Sequence, residues 1–523
     1  MAQRRIYSLI IAVLFLFTLA LTACQDSNDT SVDPNANVSG TDVYKDANGR
    51  YVGATSGKTY EGETITFLTA SALDSYESEI VFNTYEDGCD KTYPESLNED
   101  LKNRQNLVEE KLGITIEEIK IPTSGGPGKK VLETVRRNAI SGVNEFDIVV
   151  PCLYDGASLA MEDLLLDLRS LNGLQLEAPW WNQAFNTDMT QGGQLYFMIG
   201  ELGITNKTHT SALYFNLELW EKMNLTEDFG GTPYDLVRQG KWTVDVAFEA
   251  ARKVGNDDNQ DGKIDYKDTY GWGGNRDDMW SIFFASGEKI AKPGADGYPY
   301  ISMYNQRSSK LMDKLQEFVK DTEHYIAADD YFSVTAWPDK LIEEGFTSGR
   351  VLFHNAGMGS IITIGGAMED HFGIVPVPKA DANQEGYYSL VNPWSATCFA
   401  VPSSVDAAKI PMIVDFLNVI GAESMNTVSV SYQEILDYMK TRDDDSKDML
   451  NNYILPSRAC DVGLIFKWGD STESPYGLGS VLHDMATAPL GTFSSAFEAK
   501  KSVAESQLNE DMQFFKSKQN GSK

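Results

Sequence analysis

The sequence predicts an α/β fold made of two sheet-and-helix halves, and two observations carry that expectation. From Thr64 onward, short apolar runs alternate with amphipathic stretches of helical spacing. That β-α-β-α order implies a mainly parallel sheet covered by helices. The chain also has 523 residues and 42% hydrophobic content, enough for two substantial domains.

The first series opens with TITFLTA, Thr64 to Ala70, which is strand-like. SLNEDLKNRQNLVEEKLGI follows as a helix with Ser96 as its expected cap, and TIEEIKIP alternates like a strand. KKVLETVRRNAISG reads as a helix ending at Gly142, FDIVVPCLY as a buried strand, and GASLAMEDLLLDL as a helix. In the second series, GGQLYFMIG and TSALYFN look like strands, while LELWEKMN and TVDVAFEAARKVG look like helices. SSKLMDKLQEFVKD is another helix; GRVLFHNAGMGS, FGIVPVPK and ATCFAVPSS are strand-plus-turn units. The C-terminal stretch, expected over 496–523 with a start just before it, is a long amphipathic helix. There is no internal repeat, and the acidic insert from Ser75 to Glu95 has no assigned role.

Ahead of this body, MAQRR is followed by an apolar run from Ile6 to Ala20 and then by Leu-Thr-Ala-Cys. A basic start and an apolar core read as a secretory signal over 1–23. Its ending resembles the bacterial lipobox, which implies lipidation at Cys24. Each buried lipid methylene adds about 0.8 kcal/mol of membrane affinity, so a diacylated cysteine is a durable tether. The polar stretch that follows has almost no large apolar residue and cannot form a core. Residues 24–60 are therefore expected to be a flexible linker carrying the body off the extracellular face of the cell membrane.

The formal charge of -32 repels nucleic acid and anionic lipid. The remaining cysteines, Cys89, Cys152, Cys398 and Cys460, have no metal-type spacing. They are expected to be mostly buried thiols.

In this order the segments resemble the extracellular solute-binding proteins of ABC importers, in the family that includes maltose-binding protein. FDIVVPCLYDG is similar to that family's end-of-strand element ahead of a helix, and GGQLYFMIG with ALYFNLELWEKMNL to its paired strand-and-helix motif. WTVDVAFEAARKV, FTSGRVLFHNAGM and FGIVPVPK are similar to further family segments. The resemblance implies a two-lobed, type II periplasmic-binding-protein-like fold with a ligand cleft between the lobes. It implies lobe one over 61–170 plus 335–378 and lobe two over 190–330 plus 385–495. It also implies a small-molecule solute, an ABC permease partner and a monomeric receptor.

DDNQDGKIDYKD, Asp257 to Asp268, has the spacing of a calcium loop. Asp257, Asn259 and Asp261 take the first, third and fifth positions, and Gly262 takes the sharp turn. Lys263 lends its carbonyl, and Asp265 and Asp268 complete the set. Calcium takes roughly six to eight oxygens at about 2.3–2.6 Å, and this spacing supplies them. Asp268 replaces the usual glutamate and reaches less far. The helix before the loop is not matched by one after it, and the similar stretch at Asp381 has Tyr388 and Asn392 at key places. A lone loop of this kind reads as a structural Ca2+ staple, not as a sensor; the alternative is an acidic turn without an ion.

Ligand candidates come from aromatic and polar residues at strand ends, because flat rings cover the C–H faces of sugars while carboxylates and amides take the hydroxyls. They are Tyr154 and Asp155, Trp180 and Trp181 at the first crossover, Trp272 and Trp280 with Asp277 and Asp278, Asn355 and Met358, and Trp394 after the second crossover; Trp468 is a further candidate. For any one tryptophan, core packing is the better expectation. Among the histidines, His354 is expected to be buried beside the cleft.

No HExxH, GxSxG or Walker sequence is present, and SGGPGKK at Ser124 lacks phosphate-loop spacing. The reading is a lipid-anchored receptor that captures a sugar or oligosaccharide by hinge closure and is not an enzyme. The alternatives are a lipid-anchored glycan-binding or adhesion module without a transporter, and a glycoside hydrolase.

Overall fold

A computed structural model describes residues 42–72, 79–80, 94–123, 129–438, 444–470, 476–487 and 491–521. The apolar leader, Cys24, most of the polar stretch after it, Cys89, most of the acidic insert and the SGGPG turn lie outside the described residues. The chain divides into Met1–Val43 and Tyr44–Lys523, and the second unit carries everything below.

The first sheet forms as the alternation predicts. Strand β1 (Glu63–Ala72) lies between β2 (Ile114–Thr123) and β3 (Ile148–Val150), both parallel to it. Helix α1 (Glu95–Leu112) leads into β2, and α2 (Lys129–Ser141) into β3. Ile65, Phe67 and Leu68 are fully buried, as expected of a strand covered on both faces. Ser96 does not cap α1: the N-cap is Pro94, without a side-chain bond, and Ser96 falls inside the first turn. Gly113 ends that helix at φ 71°, a left-handed position that favours glycine. Helix α3 (Leu153–Met161) follows β3 directly and is buried along most of its length.

GGQLYFMIG makes no regular strand. It runs extended, with single bridges from Met198 to Phe399 and from Trp181 to Gly200. After it the chain enters the second sheet. In chain order these are β4 (Ser211–Asn216), β5 (Gly255–Asn256), β6 (Thr269–Gly274), then β9 (Tyr325–Ala327), β10 (Val351–Gly357) and β11 (Phe372–Val375). The small antiparallel pair β7 (Ala291–Pro293) and β8 (Pro299–Ile301) stands apart from them. Strand β4 is antiparallel to both β10 and β11, while β6 is parallel to β10 and β9. This sheet is therefore mixed. Leu213 and Phe215 point into one buried cluster, and Ala212 and Tyr214 into another on the opposite face.

The return segment departs from the expected lobe boundaries. Residues 335–378 carry β10 and β11, which hydrogen-bond within the second sheet and not the first. The chain instead revisits the first sheet later. Val149 exchanges backbone bonds with Ala400 at 2.9 and 3.0 Å, and the helix Ile410–Asn426 packs behind with Phe416 against Phe67. Both segments read as fully buried apolar runs, and such a run carries no information about which sheet it joins.

Residues 44–60 are not a leash. They lie along the helix Ile410–Asn426, whose side chains take up their backbone groups. Asn426 accepts from the Tyr51 N–H and donates to its carbonyl, each at 2.9 Å. Asn418 donates to the Ala54 carbonyl at 3.1 Å, and Asp415 accepts from the Ser56 hydroxyl at 2.6 Å and the Tyr60 hydroxyl at 2.8 Å. A Cβ on Gly53 would sit 2.1 Å from the Asn418 carbonyl oxygen, so only glycine allows this approach. The polar composition suggested a free chain; polar partners on a helix satisfy it equally well.

A buried guanidinium ties α1 to the segments around it. Arg104 of α1 is fully buried and donates to the carbonyls of Leu202, Glu79 and Ile80 and to the Ser424 hydroxyl at 2.8–3.1 Å. Cys152, Cys398 and Cys460 are free, buried thiols, as expected. The C-terminal helix spans Phe493–Gly521.

Candidate functional site

One cluster of rings joins the two halves. Tyr154 stands at the start of α3, just beyond the carboxyl end of β3, where open α/β sheets place ligands. Its ring lies 6.4 Å from that of Tyr476. Trp280 lies 6.1 Å from Tyr476, nearly edge-on at 79°, and Trp394 lies 6.1 Å away at 57°. His483 completes the set at 6.4 Å. Tyr476 is thus the hub, and Trp394 is the open face, with 40% of its surface exposed.

Local sequence explains these positions. Trp280 rides on the helix Arg276–Ala285, whose start is fixed by a capping box between Asn275 and Asp278. His483 belongs to the helix Gly479–Thr487. Lys467 adopts φ 54°, and a Cβ on Gly477 would lie 2.2 Å from its carbonyl oxygen. This close backbone approach sets Tyr476 beside Tyr154, and the Lys467 ammonium lies 5.5 Å over the Tyr154 ring.

The site is acidic. Asp277 lies 3.4 Å from His483, and Asp484 lies 3.8 Å from the same ring. Burial raises the Asp277 carboxyl above its ordinary value; His483 opposes this and Asp329 adds to it. Burial likewise raises the hydroxyls of Tyr154 and Tyr476, which keeps both protonated and able to donate. Asp278 is pushed up to about 8, chiefly by burial, with the Asn275 N–H opposing. A carboxyl raised in the folded state destabilises it as pH rises between its unfolded and folded values. Stability should therefore fall from pH 4 toward 8 through this group. Asp278→Asn should raise the melting temperature more at pH 8 than at pH 5; equal shifts at both would refute the assignment.

The other expected ligand residues go elsewhere. Trp272 is fully buried among Phe248, Phe318 and Phe353. Trp180 and Trp181 are buried: Tyr44 packs on Trp180, and a Cβ on Gly421 would lie 2.3 Å from the Trp180 ring. Asn355 is spent holding the Asp278 carbonyl at 2.8 Å, and Met358 is core. Asp155 is 2% exposed. Trp468 is buried and donates to Asp511 at 2.7 Å. All of these are buried, and none makes a ring contact with Tyr476; Tyr154 and Trp280 are buried too, at 1% and 6%, and belong to the cluster by their rings. His354 is buried, as expected, with its ring held down to about 4 by burial. Tyr476 and Lys467 are not singled out by the sequence, and His483 shows no ligand spacing there; the signal for Tyr476 is an aromatic between Pro475 and Gly477.

In the acidic loop, carboxylates accept from the backbone. Asp257 accepts from Gly262 N–H at 2.8 Å, Asn259 and Asp261 from the next turn at 2.9 and 3.1 Å, and Asp265 from Lys267 N–H at 2.8 Å. Fully buried Asp268 accepts from Asp258 and Asp265 N–H at 3.1 and 2.9 Å. Gly262 takes φ 84°, as the sharp turn requires. Among the described residues, no three carboxylate, imidazole or thiol side chains converge as a metal cage.

A cavity of about 530 Å³ opens elsewhere, at the crossovers. Met425, Tyr432 and Leu455 line it together with Glu201, Lys207 and Arg458. None of the expected ligand residues lines it.

No protein-family model and no curated protein matches the sequence. Solved structures do match its fold. An ABC substrate-binding protein from Listeria monocytogenes, in complex with cycloalternan, superposes with a TM-score of 0.51 at 13% identity, covering 87% of this chain and all of that one. The fold is that of the maltose-binding-like solute-binding proteins. The maltose-binding periplasmic protein of the same organism, in complex with maltose, gives 0.50 at 11% identity over 86% of this chain and 98% of its own. A family 1 extracellular solute-binding protein from Bifidobacterium longum subsp. infantis gives 0.50 at 12% identity over 85% and 99%. This solute-binding fold has two lobes, and the ring cluster draws Tyr154 from one and Trp280 from the other. Among the described residues, no helix is long and apolar enough to cross a membrane.

Proposed function

We propose that this protein is the receptor of an ABC importer, anchored through lipid on Cys24 at the extracellular face, and that it captures a sugar or oligosaccharide. The observation that carries this reading is the array of Tyr154, Trp280, Trp394 and Tyr476 where the lobes meet. Stacked rings match the apolar faces of sugars. Proteins of the same fold are solved with cycloalternan and with maltose. Ligand touching both lobes favours the closed form by its differential affinity. The protein binds and does not turn over its ligand. A thermal-shift screen of the full mature chain against neutral and charged oligosaccharides should find a stabilising glycan with no product released. Product release, or no stabilisation by any glycan, refutes this reading.

The loop from Asp257 to Asp268 offers only oxygens, the donors calcium takes. Asp257, Asn259, Asp261, the Lys263 carbonyl, Asp265 and Asp268 are its proposed ligands, and its role is to staple the loop ahead of β6. Chelator should lower the melting temperature and calcium restore it, whereas Asp261→Ala should respond to neither. An unmutated protein indifferent to both would remove the metal.

A further inference from the structure

We propose that the ring cluster takes a cationic carbohydrate, an amino sugar carried as its ammonium. The proposal rests on the carbohydrate reading above and narrows its ligand. Asp277 is its centre. One carboxylate oxygen, Oδ1, is shielded from solvent beside His483 at 3.4 Å, while the side chain as a whole remains 46% exposed. Among the described residues no lysine or arginine pairs with it. Its neighbour Arg276 is turned to Asp330 at 2.5 Å, and the Arg276 N–H is held by Asp329 at 2.8 Å. Asp484 flanks His483 on its other side. Among the described residues, the one cation over a ring of the cluster is Lys467, on Tyr154.

A neutral sugar could use Asp277 only through hydroxyl hydrogen bonds. A hydroxyl on the carboxylate is assisted by one charge; an ammonium adds attraction between two opposite charges, in a half-shielded setting where Coulomb attraction exceeds its value in bulk water. The faces of Tyr476 and Trp394 would add cation–π attraction. The net charge of -32 draws cations toward the surface and speeds their encounter. The surplus of negative charge among the rings gives a neutral hexose no advantage.

The test compares the glucosamine trimer with its N-acetylated counterpart by titration calorimetry, since acetylation removes the charge and keeps the skeleton. The amine should bind about tenfold more tightly at low salt, a difference of about 1.4 kcal/mol. The ratio should shrink as salt is raised. Asp277→Asn should bring it within about threefold. Equal or weaker binding of the amine, or a ratio indifferent to salt, overturns the proposal without need of the variant. If neither trimer binds, the proposal also falls. The wider glycan screen then decides separately, since a neutral oligosaccharide that binds preserves the carbohydrate reading.

Discussion

Replacing Arg104 with alanine should reduce the free energy of unfolding by about 3–5 kcal/mol. The guanidinium lies fully buried where α1 meets the crossover and the helix Ile410–Asn426. Its donors satisfy three carbonyls, those of Leu202, Glu79 and Ile80. With alanine there, each oxygen loses its partner where water is excluded, at about 1–3 kcal/mol apiece before relaxation. A cavity the size of the lost stem adds to the loss. Arg104→Lys keeps the charge but not the planar fork, and should recover only part. Urea denaturation of the three proteins measures this directly. A loss below about 1 kcal/mol for the alanine variant would mean that the buried fork is not what holds α1 against the crossover and the helix Ile410–Asn426.

The second large effect falls on binding. Tyr476→Ala should weaken affinity for the captured glycan by about 10–100-fold, or 1.4–2.8 kcal/mol. Tyr476 touches every other ring of the cluster, at 6.1–6.4 Å. Its removal takes away one platform and loosens the others, each such pair contributing about 0.5–1.5 kcal/mol. Because the side chain is only half-buried, the fold should survive with little change in melting temperature. Tyr476→Phe keeps the face and should cost less. Calorimetry with the best glycan from the screen reads both variants. Unchanged affinity in the alanine variant would move the site away from this cluster.

The sequence made the first sheet legible because its strands and helices alternate cleanly and neighbours in the chain are neighbours in space. It misplaced β10 and β11, whose apolar residues suit any buried sheet, and it missed that Ala400 returns to β3 while Phe399 pairs with Met198. The ligand site was half legible. Tyr154, Trp280 and Trp394 were among the expected residues and do meet, but the residue on which they meet, Tyr476, lies in a loop whose position depends on a contact between Lys467 and Gly477. Trp272 and Trp180 carried the same local signal as Trp280. All three are buried, and the rings they meet distinguish them: Tyr476 for Trp280, core phenylalanines for Trp272 and Tyr44 for Trp180. The polar run from Tyr44 to Tyr60 misled for the converse reason: its partners, Asp415, Asn418 and Asn426, come from a helix far along the chain.

That late return of Ala400 to Val149 bears on how the molecule is made. Until the ribosome has released the chain past Asn426, β3 has an open edge with unpaired amides, and the Trp180 indole lacks the helix that covers it. An early-terminated product would expose both, and open edges recruit other chains. Pairing between such distant segments is also slow to nucleate. The nascent polypeptide should therefore remain unfinished, and in need of a holdase, for most of its synthesis. Truncations ending before Thr397 should aggregate, whereas loss of the last turn of the C-terminal helix should not provoke it.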